Sequence, residues 1–232
     1  WSQLRGRGIA EPVDDFRGSN PPSQPQLLEW LTREFVSSGF DRKHIIRLVL
    51  NSHTYQLGFQ PTPTATSDAR YFSYYRPRLL QAEQLLDAIS QASGVSESFS
   101  GFPSGTRAIQ LPDGERKHSF LEAFGRPARA LACECEREST TTMAQALQLV
   151  GGKLVHGKLV HEQGLAAQLA GSSLSASQIV EELFLATLCR SPSTAEQAFL
   201  SPQLEVGGAR RKRVVEDILW NLFNHREFLF QH

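Results

Sequence analysis

Three short stretches set the frame for this chain: Ser23-x-x-Gln26, Ser175-x-x-Gln178 and Ser193-x-x-Glu196. In such a stretch a hydroxyl accepts the N–H three residues on, and in the full capping box a Glu or Gln at that place reaches back. Each precedes apolar residues at helical spacing. After Ser23 and Pro25 come Leu27, Leu28, Leu31, Phe35 and Val36, with Gly39 as a left-handed stop. Asp41 opens a second helix through Ile45, Ile46, Leu48, Val49 and Leu50, so the two are expected to form a helical hairpin. Leu79, Leu80, Leu85, Leu86 and Ile89 mark a third helix, ended by Gly94.

Further on, Ser119–Phe124 reads as one helical turn stopped by Gly125, and Thr140–Thr142 leads a helix through Met143, Ala146, Leu147 and Val150. Val180, Leu183, Phe184 and Leu188 make a stripe that ends before Pro192. Val214, Val215, Ile218, Leu219, Leu222 and Phe223 make the last one. Nothing alternates strand with helix, so the fold class expected is all-α, an irregular multi-helix bundle with one long Gly/Pro/Ser-rich loop. That loop runs from Ser96 to Gly114, and Arg107–Leu111 is its one short extended stretch. The whole of 1–232 is expected to be a single helical domain with sub-regions 1–94, 95–138 and 139–232; residues 57–77 read as a surface connection.

Composition excludes several functions. The chain has 24 Lys+Arg against 24 Asp+Glu and is 40% hydrophobic, which is ordinary globular usage. Zero net charge argues against a nucleic-acid partner. Arg210–Arg213 then reads as a solvated helix face whose charge Glu216 and Asp217 offset. No apolar run reaches the roughly 20 residues a membrane span needs. The chain opens on Trp1-Ser2-Gln3-Leu4, without a basic-then-apolar leader, and reads as the tail of an apolar helix in a fragment or processed chain.

No phosphate-cradling Gly loop, H-E-x-x-H, G-x-S-x-G or EF-hand loop occurs, and no C-x-x-C-H, so no haem is attached covalently to this chain. The tandem Gly152-Lys-Leu-Val-His156 and Gly157-Lys-Leu-Val-His161 has period five, suits neither a helix face nor a strand face, and reads as a local duplication without metal-site meaning.

Three weaker constellations remain. Glu11, Asp14, Asp15 and Arg17 cluster in a loop; Asp14 and Asp15 are candidate ligands for Ca²⁺, or the acids cap backbone and pair with Arg17. Tyr74, Tyr75, Arg76 and Arg78, with Glu83 and Asp87 ahead on a helix, suggest an anion pocket with aromatic walls or a structural ion-pair net. Arg126 and Arg129 precede Cys133-Glu134-Cys135-Glu136-Arg137. If that run is helical, Arg137 lies beside Cys133 and lowers its thiol pKa. Cys133, Cys135 and Cys189 are otherwise buried small residues, or one of the close pair bridges to Cys189.

In combination the motifs resemble a known family. They are Gly6-Arg-Gly-Ile9, Pro12-Val-Asp-Asp-Phe-Arg17, Asn20-Pro-Pro-Ser23, Leu27-Leu-Glu-Trp-Leu31, Arg33-Glu-Phe35, His44-Ile-Ile-Arg47, Ser52-x-x-Tyr55, Arg76-Pro-Arg-Leu-Leu-Gln-Ala-Glu83, Phe124-Gly-Arg-Pro-Ala-Arg129, Cys133-Glu-Cys-Glu-Arg137, Glu181-Glu-Leu-Phe-Leu-Ala-Thr-Leu188 and Glu227-Phe-Leu229. In this order they resemble the bacterial domain-of-unknown-function family 1553 over almost the whole chain, although Thr141 and Met143 stand where many relatives have Asn and Pro. The resemblance implies an extracytoplasmic multidomain protein of planctomycete-type bacteria, in the periplasm or at the cell surface, with a preceding domain and often a c-type cytochrome module. It implies no established activity. Two readings follow: a non-catalytic scaffold or docking module whose partner is the preceding domain or another chain, and an enzyme module in 96–138. In the second, Arg126, Arg129, Glu134 and Arg137, with Arg76 and Arg78, would bind an anionic or carbohydrate substrate.

Overall fold

The computed structural model describes residues 1–13, 15–61, 71–112, 117–127 and 142–231. The chain is mainly helical, and its packing divides it into two compact units, Trp1–Arg78 and Leu79–Gln231. The division falls inside the sub-region 1–94 that helical spacing groups together.

In the first unit, α1 (Ser2–Arg5) ends on Gly6 at φ 76°, a left-handed residue that turns the chain at once. Helix α2 (Pro25–Ser37) starts with Pro25 in its first turn. The expected Ser23–Gln26 capping box does not form. Ser23 Oγ and N–H both donate to the Ile9 carbonyl, at 2.8 and 2.7 Å, so that hydroxyl pins the preceding loop and Gln24 takes the cap position. Asp41 does cap α3 (Arg42–Leu50), accepting from Lys43 and His44 N–H at 2.8 and 3.2 Å. The hairpin forms as expected, yet no residue of α2 is fully buried. Ile9, Ala10, Val49, Phe72 and Tyr75 supply this unit's buried apolar residues.

In the second unit, α4 (Ala82–Ser93) buries Leu85, Leu86 and Ile89 completely and stops on Gly94 at φ 69°. Leu79 and Leu80 are not part of that helix. Leu80 N–H donates to the Leu229 carbonyl at 2.9 Å, beside the small sheet of β1 (Arg78–Leu79) and β2 (Phe230–Gln231). Helices α5 (Ser119–Ala123), α7 (Lys153–Leu159) and α8 (Leu165–Gly171) pack on α4, and α6 (Met143–Gly151) packs on α5 and α7. The C-terminal set follows: α9 (Ala176–Leu188), α10 (Thr194–Leu200), α11 (Gly208–Phe223) and α12 (Arg226–Leu229). Capping boxes open α9 at Ser175 and α10 at Ser193, as the spacing requires, and a further one, not expected, opens α6 at Thr142. Val180, Leu183 and Phe184 of α9 and Val215, Ile218, Leu219, Leu222 and Phe223 of α11 meet in one core with α4.

One expectation about loops is corrected. Residues 108–110 form a 3₁₀ turn instead of an extended stretch, because Asp87 accepts from Ala108 and Ile109 N–H at 2.6 and 3.1 Å. The Gly-Lys-Leu-Val-His repeat takes helical form. It lies largely on α7, whose Val155, Lys158 and Leu159 are buried at spacings of three and four, while His156 and His161 are exposed.

Candidate functional site

The polar residues of the second unit are mostly bound to one another. Glu83 and Arg126 form an ion pair with Oε1 to Nε 3.7 Å, the two side chains only 2% and 3% exposed. Glu97 lies 3.8 Å from His118 Nε2 and 3.0 Å from Lys158 Nζ, and Lys158 also donates to the Val95 carbonyl at 2.8 Å. His118, and then Lys158 against the opposing effect of burial, hold the Glu97 carboxyl down to about 2. Glu83, Asp87 and Glu97 thereby fasten parts of 95–112 and 117–127 to helices α4 and α7. Of the residues expected to bind substrate there, Arg126 is a buried packing partner of Glu83. Arg129, Glu134 and Arg137 lie outside the described residues.

Sequence reading missed Arg190. Its guanidinium takes Glu196 at 2.9 and 3.0 Å and Glu227 at 2.7 and 3.1 Å, and sits 5.3 Å from the Phe184 ring centre. The two forks tie the end of α9 to α10 and α12 and hold Glu196 at about 2. Its neighbour Cys189 adopts φ 55° and is a free, exposed thiol, so neither the bridge to Cys189 nor its burial is present. Cys133 and Cys135 lie outside the described residues.

In the acidic loop, Asp15 accepts from Arg17 Nε and Nη2 at 2.8 and 2.6 Å, the pairing alternative to cation binding, and Glu11 accepts from Gly8 N–H. Asp14 lies outside the described residues. Among the described residues no group of three or more His, Cys, Asp or Glu side chains is placed to hold a metal ion. No helix among them is long and apolar enough to cross a membrane.

Concave surface is found in the first unit. A cleft of about 210 Å³ lies among Trp1, Leu27, Trp30, Leu31, Tyr71 and Phe72. Its walls are aromatic and aliphatic, with Trp30 47% and Tyr71 62% exposed. The Trp1 and Phe72 rings meet edge to face at 5.3 Å. Arg76 and Arg78 belong to a second, open groove of about 480 Å³. Arg76 Nε donates to Tyr74 Oη at 3.2 Å with its guanidinium 5.7 Å from that ring centre, and Arg78 Nη2 donates to the Gln3 carbonyl at 2.7 Å. Of the tyrosines expected as walls, Tyr74 lies against Arg76, but the groove itself is lined by Arg5, Gly6, Arg7, Glu11, Arg76, Pro77 and Arg78, while Glu83 and Asp87 take other partners.

A family model described as PSD1, protein of unknown function (DUF1553), matches residues 1–204. No curated protein and no solved structure matches the chain. With that match covering most of its length, and the motifs from Gly6 to Leu188 falling within it, the chain belongs to the PSD1 family of DUF1553 proteins.

Proposed function

We propose that this chain is a non-catalytic helical scaffold and docking module, and that the cleft beside Trp1 receives a neighbouring module of the same polypeptide. One observation carries the reading: an indole at position 1 lines an apolar cleft together with the exposed Trp30 and Tyr71. A neighbouring module of the same polypeptide is held at high effective concentration and needs little contact area to stay seated. Half-buried aromatic rings in a concave wall are the usual anchors of such contacts. The buried ion pairs of the second unit support the scaffold half of the reading, since they spend their charges on holding loops to helices. The family resemblance adds an extracytoplasmic location and a c-type cytochrome module among the neighbours.

The test is a photoreactive phenylalanine analogue at Trp30 in the full-length protein, with the same analogue at exposed Arg33 as control. Cross-links from position 30 into a neighbouring module, mapped by mass spectrometry, are expected in excess over those from position 33. Equal yields at both positions dismiss the docking cleft. Cell fractionation and haem absorbance of the purified full-length protein test the location and the cytochrome neighbour.

A further inference from the structure

Among the described residues, four arginines of the first unit line the open groove, Arg5, Arg7, Arg76 and Arg78, against one carboxylate, Glu11. The groove therefore carries an excess of positive charge on a chain whose net charge is zero. Glu11 is itself engaged by the Gly8 N–H.

Arg5 is the unusual member. It is only 4% exposed, lying at the end of α1 where Gly6 turns the chain. Nη2 donates to the Phe72 and Tyr74 carbonyls at 3.1 and 3.3 Å, and the guanidinium sits 5.5 Å from the Tyr75 ring centre. Nε and Nη1 have no hydrogen-bond partner. Arg5 lines both the open groove and a smaller pocket shared with Arg7, Tyr74 and Arg76. A buried cation with unused donors is costly unless something pairs with it. Burial draws the Arg5 guanidinium below its ordinary value, and nearby Arg78 acts in the same direction, against Tyr75 and Tyr55.

The other arginines are set around it by identifiable contacts. Arg78 passes over Gly6, where a Cβ would run into its side chain, and is anchored on Gln3. Arg76 is steadied by the Tyr74 hydroxyl and ring. Planar guanidinium forks match the paired oxygens of tetrahedral oxyanions. We propose that this groove is a binding site for a doubly charged oxyanion group, phosphate or sulfate, which pairs with the unused donors of Arg5 and is enclosed by Arg7, Arg76 and Arg78. A monocarboxylate would leave more of the positive charge unbalanced, so the site discriminates by charge as well as by shape.

The experiment is calorimetric titration of the chain with sodium sulfate and with sodium phosphate, ionic strength held constant with chloride. Saturable one-site binding is expected for both, with acetate at least about tenfold weaker. Arg7→Gln and Arg76→Gln change side chains that are not fully buried, so their melting temperatures without anion should match the parent. Each should weaken binding about fivefold, and the pair tenfold or more. Arg5→Lys keeps the charge and removes the fork, and is expected to lose saturable binding. If that variant fails to fold, the Arg7 and Arg76 variants still decide the matter. Sulfate affinity should be flat between pH 6 and 8, while phosphate affinity rises as its second proton leaves, which separates the two groups. Trp30→Ala should leave anion affinity unchanged, so the groove and the docking cleft stand or fall separately. Absence of saturable binding, stabilisation by chloride alone, or equal affinity in the Arg7→Gln/Arg76→Gln double variant overturns the proposal.

Discussion

Glu97 stands between His118 and Lys158, and its depressed carboxyl gives the second unit a defined response to acid. A carboxylate whose folded pKa is about 2, against an ordinary 4.5, contributes stability that is complete above about pH 4.5. That contribution is lost as pH falls toward 2. Its size is on the order of 2–3 kcal/mol. Denaturant melts at pH 7 and pH 3 should show Glu97→Gln losing far less between the two than the parent does; parallel losses would remove Glu97 from the account. The Glu83–Arg126 pair behaves differently because both side chains are out of water. Arg126→Met removes the ion pair from a buried carboxylate and should cost about 3–5 kcal/mol, whereas Glu83→Leu with Arg126→Met should recover most of it. A double variant no better than the single one would mean that the pair contributes net attraction of its own. Neither partnership is legible from sequence: Glu83 and Arg126 are far apart in the chain, and nothing local marks Lys158 out from Lys153 in the same repeat.

Helices announce themselves through contacts that span only a few residues. The hydroxyl-to-N–H contact of Ser175 and Gln178 spans three residues, so the box is readable and forms at 3.3 Å, with the return contact at 2.9 Å. Ser175→Ala should therefore cost about 1 kcal/mol by chemical denaturation. Leu183→Ala, in the fully buried stripe of α9, should cost about 2–5 kcal/mol, and a loss below about 1 would place that face outside the core. The same local logic fails at Ser23, whose hydroxyl is taken by the Ile9 carbonyl fourteen residues back. It fails again at 107–111, where the extended pattern yields to the Asp87 carboxylate on another helix. In both places a long-range acceptor outcompetes the neighbour, and pattern reading has no access to it.

The two units differ in how deeply they bury their helices. Helix α2 has no fully buried residue, while α4, α9 and α11 share a core with several side chains wholly removed from solvent. Hydrogen exchange should accordingly open the α2–α3 amides well before those of α4, α9 and α11. Uniform protection across both units would contradict that ordering. Of the expected site residues, Arg76 and Arg78 do line a groove, but its deepest member, Arg5, carries no sequence signal at all. Its two carbonyl partners lie 67 and 69 residues away. What the residues alone determined is the all-α class, most helix limits and the family, because periodicity and caps are written in neighbours three and four apart. What only the tertiary structure decided is which charges meet: Glu83 with Arg126, Arg190 with Glu196 and Glu227, Arg5 with the loop around Tyr74. Apart from Arg190 with Glu196, six residues on, those pairings require distant segments to close on one another, and the free energy that brings the segments together comes from burial shared within each unit.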